Sequence, residues 1–295
     1  MMNTLSTETT VGFYSAHDGR TVDVGAGVQE GLLVVADGLG GHCTGWLGVL
    51  LSVRPICGRF VNPETKTKFV GAADDFQDDW GWAGAMQSKK AAEYVFNECH
   101  ADFGDISALP RDLEKLFVEI DRVIRNVPNH DRIHGLLASC IAVTIEGTHV
   151  RGVHSGIGLA LLLRAGTEQF ENLVVAHYLH LVQSRLAKSI DMPAGIELPR
   201  NVIMSGLGCL THSGVGVDTF DVVLGPGDVL LILSRLTNIT EEALARIVRK
   251  FVDANVSIDE LARAIERHAE ETVLAPGDYT GREFAFGIVW ARAER

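Results

Sequence analysis

The sequence predicts an α+β fold in which two mostly antiparallel β-sheets are flanked by helices. Three observations carry this. Strand patterns cluster in the middle of the chain (136–167 and 217–234) and at both ends. Helical patterns are grouped between them instead of following each strand. No regular β-α-β alternation supports a doubly wound parallel sheet, and grouped elements favour segregated layers. With no internal repeat and no obvious linker, residues 1–295 read as a single domain.

Taken in order, "GLLVVA" (31–36) is a short apolar run ending at a turn, which suits a buried strand. Residues 45–60 read as a helix interrupted at Pro55, and the acidic, aromatic stretch 71–85 has no period and reads as a loop. Residues 86–101 and 111–127 read as helices. The second places Leu113, Leu116, Phe117, Ile120 and Ile124 on one face, with Pro110 suited to its first turn. Residues 136–167 read as three strands separated by "EGT" and "HSGIG" turns. A further strand, 217–224, leads through "GPGD" to another at 229–234, and Pro226-Gly227 is a turn pair because proline presets φ while glycine accepts a positive one. Helices follow at 240–252 and 257–271; Ser257 and Glu260 have capping-box spacing at the start of the second. A last strand spans 282–291.

Composition narrows the function. The formal charge of −12 opposes general nucleic-acid binding, which selects for Lys and Arg, and disfavours an anionic membrane surface. No basic flank precedes an apolar run at the N-terminus, so no signal peptide is expected. The most apolar stretches, 158–163 and 229–233, fall far short of the ~20 residues of a membrane span. Five scattered cysteines (Cys43, Cys57, Cys99, Cys140, Cys209) form no C-x-x-C pair, so reduced thiols in a soluble cytoplasmic protein are expected. A nucleophilic Cys43 beside His42 has no supporting pattern.

The chemically distinctive stretch is "VVADGLGGHCTGW" (34–46), a hydrophobic strand running into Asp37 and then into glycines. A carboxylate followed by glycine offers a hard cation such as Mg²⁺ or Mn²⁺ two kinds of oxygen, the Asp37 side chain and the Gly38 carbonyl. Gly40 and Gly41 let backbone and solvent approach closely. An ordinary strand-to-helix turn, with Asp37 as a cap, satisfies the same residues.

"VVADGLGGH" resembles the Asp-Gly-x-Gly-Gly-His signature of the metal-dependent type 2C (PPM) serine/threonine protein phosphatases, particularly bacterial ones. Further stretches are similar to that family in the same order. "VRGVHSGIGLALLLRAGT" (150–167) matches the strand ending in Gly-Asp-Ser-Arg. "LHLVQSRLA" (179–187) with "PRNVIMSGLG" (199–208) matches Asp-His-Ser-Leu-Val and the Arg-Asn segment after it. "LGPGDVLLILSRLTNIT" (224–240) matches Pro-Gly-Asp and Ser-Asp-Gly-Leu-Thr, and "GDYTGREFAFGIVWA" (277–291) matches Asp-Asn-x-Thr and the final strand. The resemblance implies an αββα sandwich with two Mg²⁺ or Mn²⁺ ions ~3.5–4 Å apart that activate a water. It implies Asp37 as bridging ligand, Gly38 as carbonyl ligand and Asp278 as a further ligand, with Tyr279 in place of the asparagine. Arg20 and Asp23, in "HDGRTVDVGAGV" (17–28), stand where a phosphate-binding arginine and an acidic ligand are expected, and read equally as an exposed turn.

Two family carboxylates are missing. Ser-Asp-Gly-Leu-Thr becomes Ser234-Arg235-Leu236-Thr237, and Gly-Asp-Ser-Arg becomes Gly156-Ile157-Gly158-Leu159. An inward Arg235 would repel a cation. The acidic cluster Asp74, Asp75, Asp78 and Asp79 reads as a solvated loop that would compensate only if it reached the site. His177 and His180 have an i, i+3 spacing that would suit a metal on a helix, but fall in a segment without ligands in the family and are read as structural.

Two functions follow. One is a divalent-metal-dependent phosphatase acting on phosphoserine or phosphothreonine in a signalling protein. The alternative is a catalytically impaired pseudophosphatase acting as a regulatory binding module. A serine hydrolase is excluded: no G-x-S-x-G elbow is present, and Ser205 in "IMSGLG" lacks the preceding glycine.

Overall fold

A computed structural model of the chain describes residues 5–15, 24–29, 31–39, 60–62, 67–71, 113–115, 117, 118, 121, 137–178, 205–208, 216–234, 239–272 and 283–293. The expected helix at 86–101, all of the one at 45–60 but its last residue, which begins a strand, and most of the acidic loop at 71–85 lie outside these residues.

Among the described residues, twelve strands build two antiparallel sheets. The five-stranded sheet holds β1 (Leu5–Ser15), β12 (Glu283–Ala293), β11 (Val229–Leu233), β8 (Leu159–Leu163) and β9 (Glu171–Asn172), in that spatial order. The seven-stranded sheet is ordered β10 (Asp218–Val223), β7 (His149–Ser155), β6 (Leu137–Glu146), β3 (Leu32–Leu39), β2 (Val24–Gln29), β5 (Thr67–Gly71) and β4 (Phe60–Asn62). Helices α1 (Glu241–Asp253) and α2 (Ile258–Glu271) cover the five-stranded sheet.

Strand alternation explains the layers, because successive side chains point to opposite faces. In β11, Leu230 and Ile232 join Leu33, Val35, Ile141 and Val143 in a core between the sheets. Val229, Leu231 and Leu233 instead pack with Leu244, Val248, Leu261 and Ile265 of the two helices. Such strands are apolar on both faces and read as continuous runs. In β3, Val34 and Ala36 are buried as well, so the outer face of the seven-stranded sheet is also covered. Two antiparallel sheets with helices on the five-stranded one are the α+β layering that the grouped patterns predict.

The three middle strands, β10, β11, both C-terminal helices and β12 fall where the patterns place them, and Gly227 takes the expected positive φ of +85°. Helical residues at 113–115, 117, 118 and 121 agree with the helix expected at 111–127, with Leu113 and Phe117 buried. At α2 the Ser257 hydroxyl accepts from Glu260 N–H (3.2 Å) and the Glu260 carboxylate accepts from Ser257 N–H (3.1 Å). The Ser257 amide, and then its hydroxyl, donate to the Glu260 carboxylate and hold it below its usual range. Ser257→Ala is expected to cost about 1 kcal/mol, read as a lower urea midpoint with an unchanged denaturant slope.

The N-terminal strands are a correction. β1 reads "LSTETTVGFYS", too polar to score as a strand, yet it pairs along its whole length with β12, from Leu5 opposite Ala293 to Ser15 opposite Glu283. β2 begins within the 17–28 stretch, where no strand was expected. Of the described residues, none forms a helix long and apolar enough to cross a membrane.

Candidate functional site

Antiparallel pairing brings one set of strand ends to the same rim of the sandwich. In the seven-stranded sheet these are the start of β2, the end of β3, the start of β6 and the end of β7. In the five-stranded sheet they are the start of β8, the end of β11 and the start of β12. Asp37 lies at this rim near the end of β3, its backbone opposite Val24 on one side and Ser139 on the other, and Gly38 stands opposite Ala138. The remaining expected site residues, Arg20, Asp23 and Asp278, lie outside the described residues, as do His42, Cys43, His180, Arg235 and Tyr279. In sequence, Asp23 directly precedes Val24, and Arg235 directly follows Ser234 at the end of β11.

The turn from β7 to β8 borders this rim, and its internal bonding is complete. Buried Ser139 accepts from two successive amides, Ile157 N–H (2.9 Å) and Gly158 N–H (3.0 Å). The amide before them, Gly156 N–H, donates to His177 Nδ1 at 3.2 Å, while His177 N–H returns a bond to the Gly156 carbonyl at 2.7 Å. Gly156 has φ +107°, and a Cβ there would lie 2.6 Å from Ser139 Cα. The resemblance expects an aspartate at position 157; the chain has an isoleucine, and it is buried. At the end of β11, Ser234 is a structural residue. Its N–H donates to Ala285 O (2.9 Å) and its hydroxyl accepts from Ala285 N–H (3.1 Å).

Among the described residues, position 157 offers a metal pair no ligand. Two divalent ions need several anionic ligands, and hard cations take oxygen. Position 157 supplies a buried hydrocarbon side chain, and the turn around it spends its amides on Ser139 and His177. Ser205 is likewise buried, its hydroxyl 3.5 Å from that of Ser155.

A second polar group lies beside the same turn. His154 on β7 pairs across the strands with Asp218 on β10, and His177 follows β9 of the other sheet. His177 Nε2 lies 3.2 Å from Asp218 Oδ2, and the two imidazole centroids are 4.7 Å apart with a 54° tilt. Because Gly156 N–H occupies Nδ1, the ring proton of neutral His177 sits on Nε2 and donates to Asp218. Burial first, then the neighbouring His177, push the pKa of His154 down to about 3, with Asp218 acting in the opposite direction. Burial likewise pushes the Cys140 thiol well above its usual range, so this cysteine is an inert core residue. Sequence reasoning missed His154 and Asp218. The only available signal was the strand register, because the two residues are far apart in the chain. His177, read as structural, does bond to the turn at Gly156, and its carboxylate partner Asp218 lies on β10.

No family model matches the sequence, and no curated protein does either. Solved structures do. The Streptococcus agalactiae serine/threonine phosphatase superposes with a TM-score of 0.58 at 16% identity, over 96% of this chain and 99% of that one. PppA of Pseudomonas aeruginosa, described as a key regulatory component of a type VI secretion system, gives 0.52 at 18%, over 97% and 99%. The catalytic domain of the phosphatase PstP, solved with two manganese ions, gives 0.54 at 14%, over 98% and 100%. Identities this low speak for architecture, and the coverage is nearly complete in both directions. The chain has the fold of the bacterial PPM-type serine/threonine phosphatases.

Proposed function

We propose that this chain is a catalytically impaired protein of the phosphatase fold, a regulatory binding module that engages phosphoserine- or phosphothreonine-bearing protein segments at the Asp37 rim. The observation that carries this reading is buried Ile157, with its amide and that of Gly158 tied to Ser139. Restoring a carboxylate ligand there would require both a different side chain and a different neighbourhood. Arg235 at the end of β11 adds positive charge in sequence where the resemblance expects a ligand. The anionic groups that the resemblance assigns to a metal here are Asp37, Asp23 and Asp278. With the Gly38 carbonyl they suit one Mg²⁺ or Mn²⁺ ion better than a pair. Arg20 supplies a guanidinium for a phosphate.

The phosphatase reading has one observation in its favour. Asp37 and Gly38 keep the position at the end of a central strand that the resemblance assigns to the bridging and carbonyl ligands. That retention explains binding equally well.

Calorimetric titration with a phosphothreonine peptide in Mn²⁺ tests the proposal. The chain is expected to bind the phosphorylated peptide in preference to its unphosphorylated form, and Asp37→Asn to weaken that binding by about tenfold, the size of one charge-assisted contact. Equal affinity for both peptides, or a folded Asp37→Asn variant that binds as well as the parent, would overturn it.

A further inference from the structure

We propose that His154, His177 and Asp218 form a binding site for one divalent transition-metal ion of the zinc class, which clips the two sheets together. None of these residues belongs to the Asp37 rim set, and the inference stands independently of the function proposed above.

Three observations support the site. First, the three residues present one donor atom each, all within 4.8 Å of one another. Two imidazole nitrogens and a carboxylate oxygen are a donor set that zinc accepts, with water as the fourth ligand. Second, the spacing of one ligand pair already agrees with coordination, while the 4.8 Å reach of the whole group requires His154 to move inward on loading. With bonds of ~2.0–2.1 Å, the edge of a tetrahedron is about 3.3 Å. The observed separation of His177 Nε2 from Asp218 Oδ2 is 3.2 Å. Two imidazoles on one tetrahedral ion have centroids about 5 Å apart, against 4.7 Å here. Third, His154 is fully buried, and neither of its ring nitrogens makes a well-formed hydrogen bond among the described residues, although the Gly156 backbone lies close enough to act on the ring. Buried imidazole nitrogens without partners are costly, and an ion at the centre of the group explains why one is kept.

Loading has one defined consequence. An ion on His177 Nε2 takes the place of the proton that Asp218 now accepts. The ring proton moves to Nδ1, and the bond from Gly156 N–H, already long at 3.2 Å, is given up. Imidazole remains neutral and Asp218 remains anionic throughout. The gain is a cross-link: His154 and Asp218 sit on β7 and β10 of the seven-stranded sheet, while His177 follows β9 of the five-stranded sheet. The ion is therefore structural, and it ties the β7–β8 turn to both layers.

Chelator-treated full-length protein titrated with Co²⁺, then with Zn²⁺, provides the test. One equivalent of Co²⁺ is expected to give the intense visible bands of tetrahedral coordination, and Zn²⁺ to displace them and raise Tm. Asp218→Asn and His177→Gln, each checked for native circular dichroism, are expected to weaken binding on the order of 100-fold or more, at least as much as loss of an outer-shell partner. Asp221→Asn, an exposed carboxylate on the same strand, is expected to leave it unchanged. Absence of a stoichiometric Co²⁺ band and of a Zn²⁺-dependent rise in Tm in the parent protein would overturn the assignment without recourse to any variant. Bands kept in Asp218→Asn but lost in Asp37→Asn would also overturn it, placing the ion at the end of β3.

Discussion

Asp228→Ala is expected to destabilise the protein by about 3 kcal/mol, because one buried carboxylate satisfies three donors from two turns. Its Oδ2 accepts from Arg164 Nη1 (2.7 Å) and Gly225 N–H (2.9 Å), and its Oδ1 accepts from Ala165 N–H (2.7 Å). Its backbone joins β12 as well, accepting from Ala291 N–H at 3.0 Å. Truncation leaves two amides and part of a guanidinium without an acceptor. Arg164 is more than a third exposed, so solvent screens its share, and Arg164→Ala is expected to cost only about 1 kcal/mol. Urea unfolding of both variants checks the ranking. Equal losses would show that the ion pair, and not the two amide bonds, is the principal contribution.

The second large effect is expected at Gly156. Alanine there must hold φ near +107°, where residues with a side chain are rare, and must place Cβ 2.6 Å from a backbone atom of Ser139. Both problems sit in a turn whose amides are committed to Ser139 and His177, so the backbone has little room to relax. The expected cost is about 3 kcal/mol or more. Because Ser139 Cα is itself part of the clash, adding Ser139→Gly is not expected to rescue Gly156→Ala. Rescue in a urea titration would mean that only the serine side chain stands in the way.

Much of this architecture is legible in the sequence wherever a strand is buried on both faces. β8 and β11 are unbroken apolar runs because one face meets the opposite sheet and the other meets the helices. The Pro226-Gly227 turn and the Ser257 cap are equally plain, since each depends on local backbone chemistry. β1 is hidden for the opposite reason. It lies at the edge of its sheet, Leu5 to Thr9 are partly exposed, and its threonines fit a pleated surface without showing an apolar pattern. β2, with glycines at 25 and 27, carries too few side chains to declare itself.

The candidate site divides along the same line. Asp37 was visible because its signature is contiguous, and the β3 register then places it at the rim where the sandwich strands end. The consequence of Ile157 was only half visible. Loss of the carboxylate can be read directly, but the capture of its amide and that of Gly158 by Ser139 depends on a contact across the sheet. The group of His154, His177 and Asp218 was not legible at all. Three residues on separate segments meet only through antiparallel pairing and the stacking of two sheets.

Hydrolysis of a phosphothreonine peptide across Mn²⁺ and Mg²⁺ titrations, by the parent chain beside Asp37→Asn, tests the central claim most directly. The account predicts that folded parent protein releases phosphate no faster than Asp37→Asn at any metal concentration. Phosphate release that rises with metal and vanishes in Asp37→Asn would contradict it, and would mean that ligands from elsewhere in the chain replace the carboxylate missing at position 157.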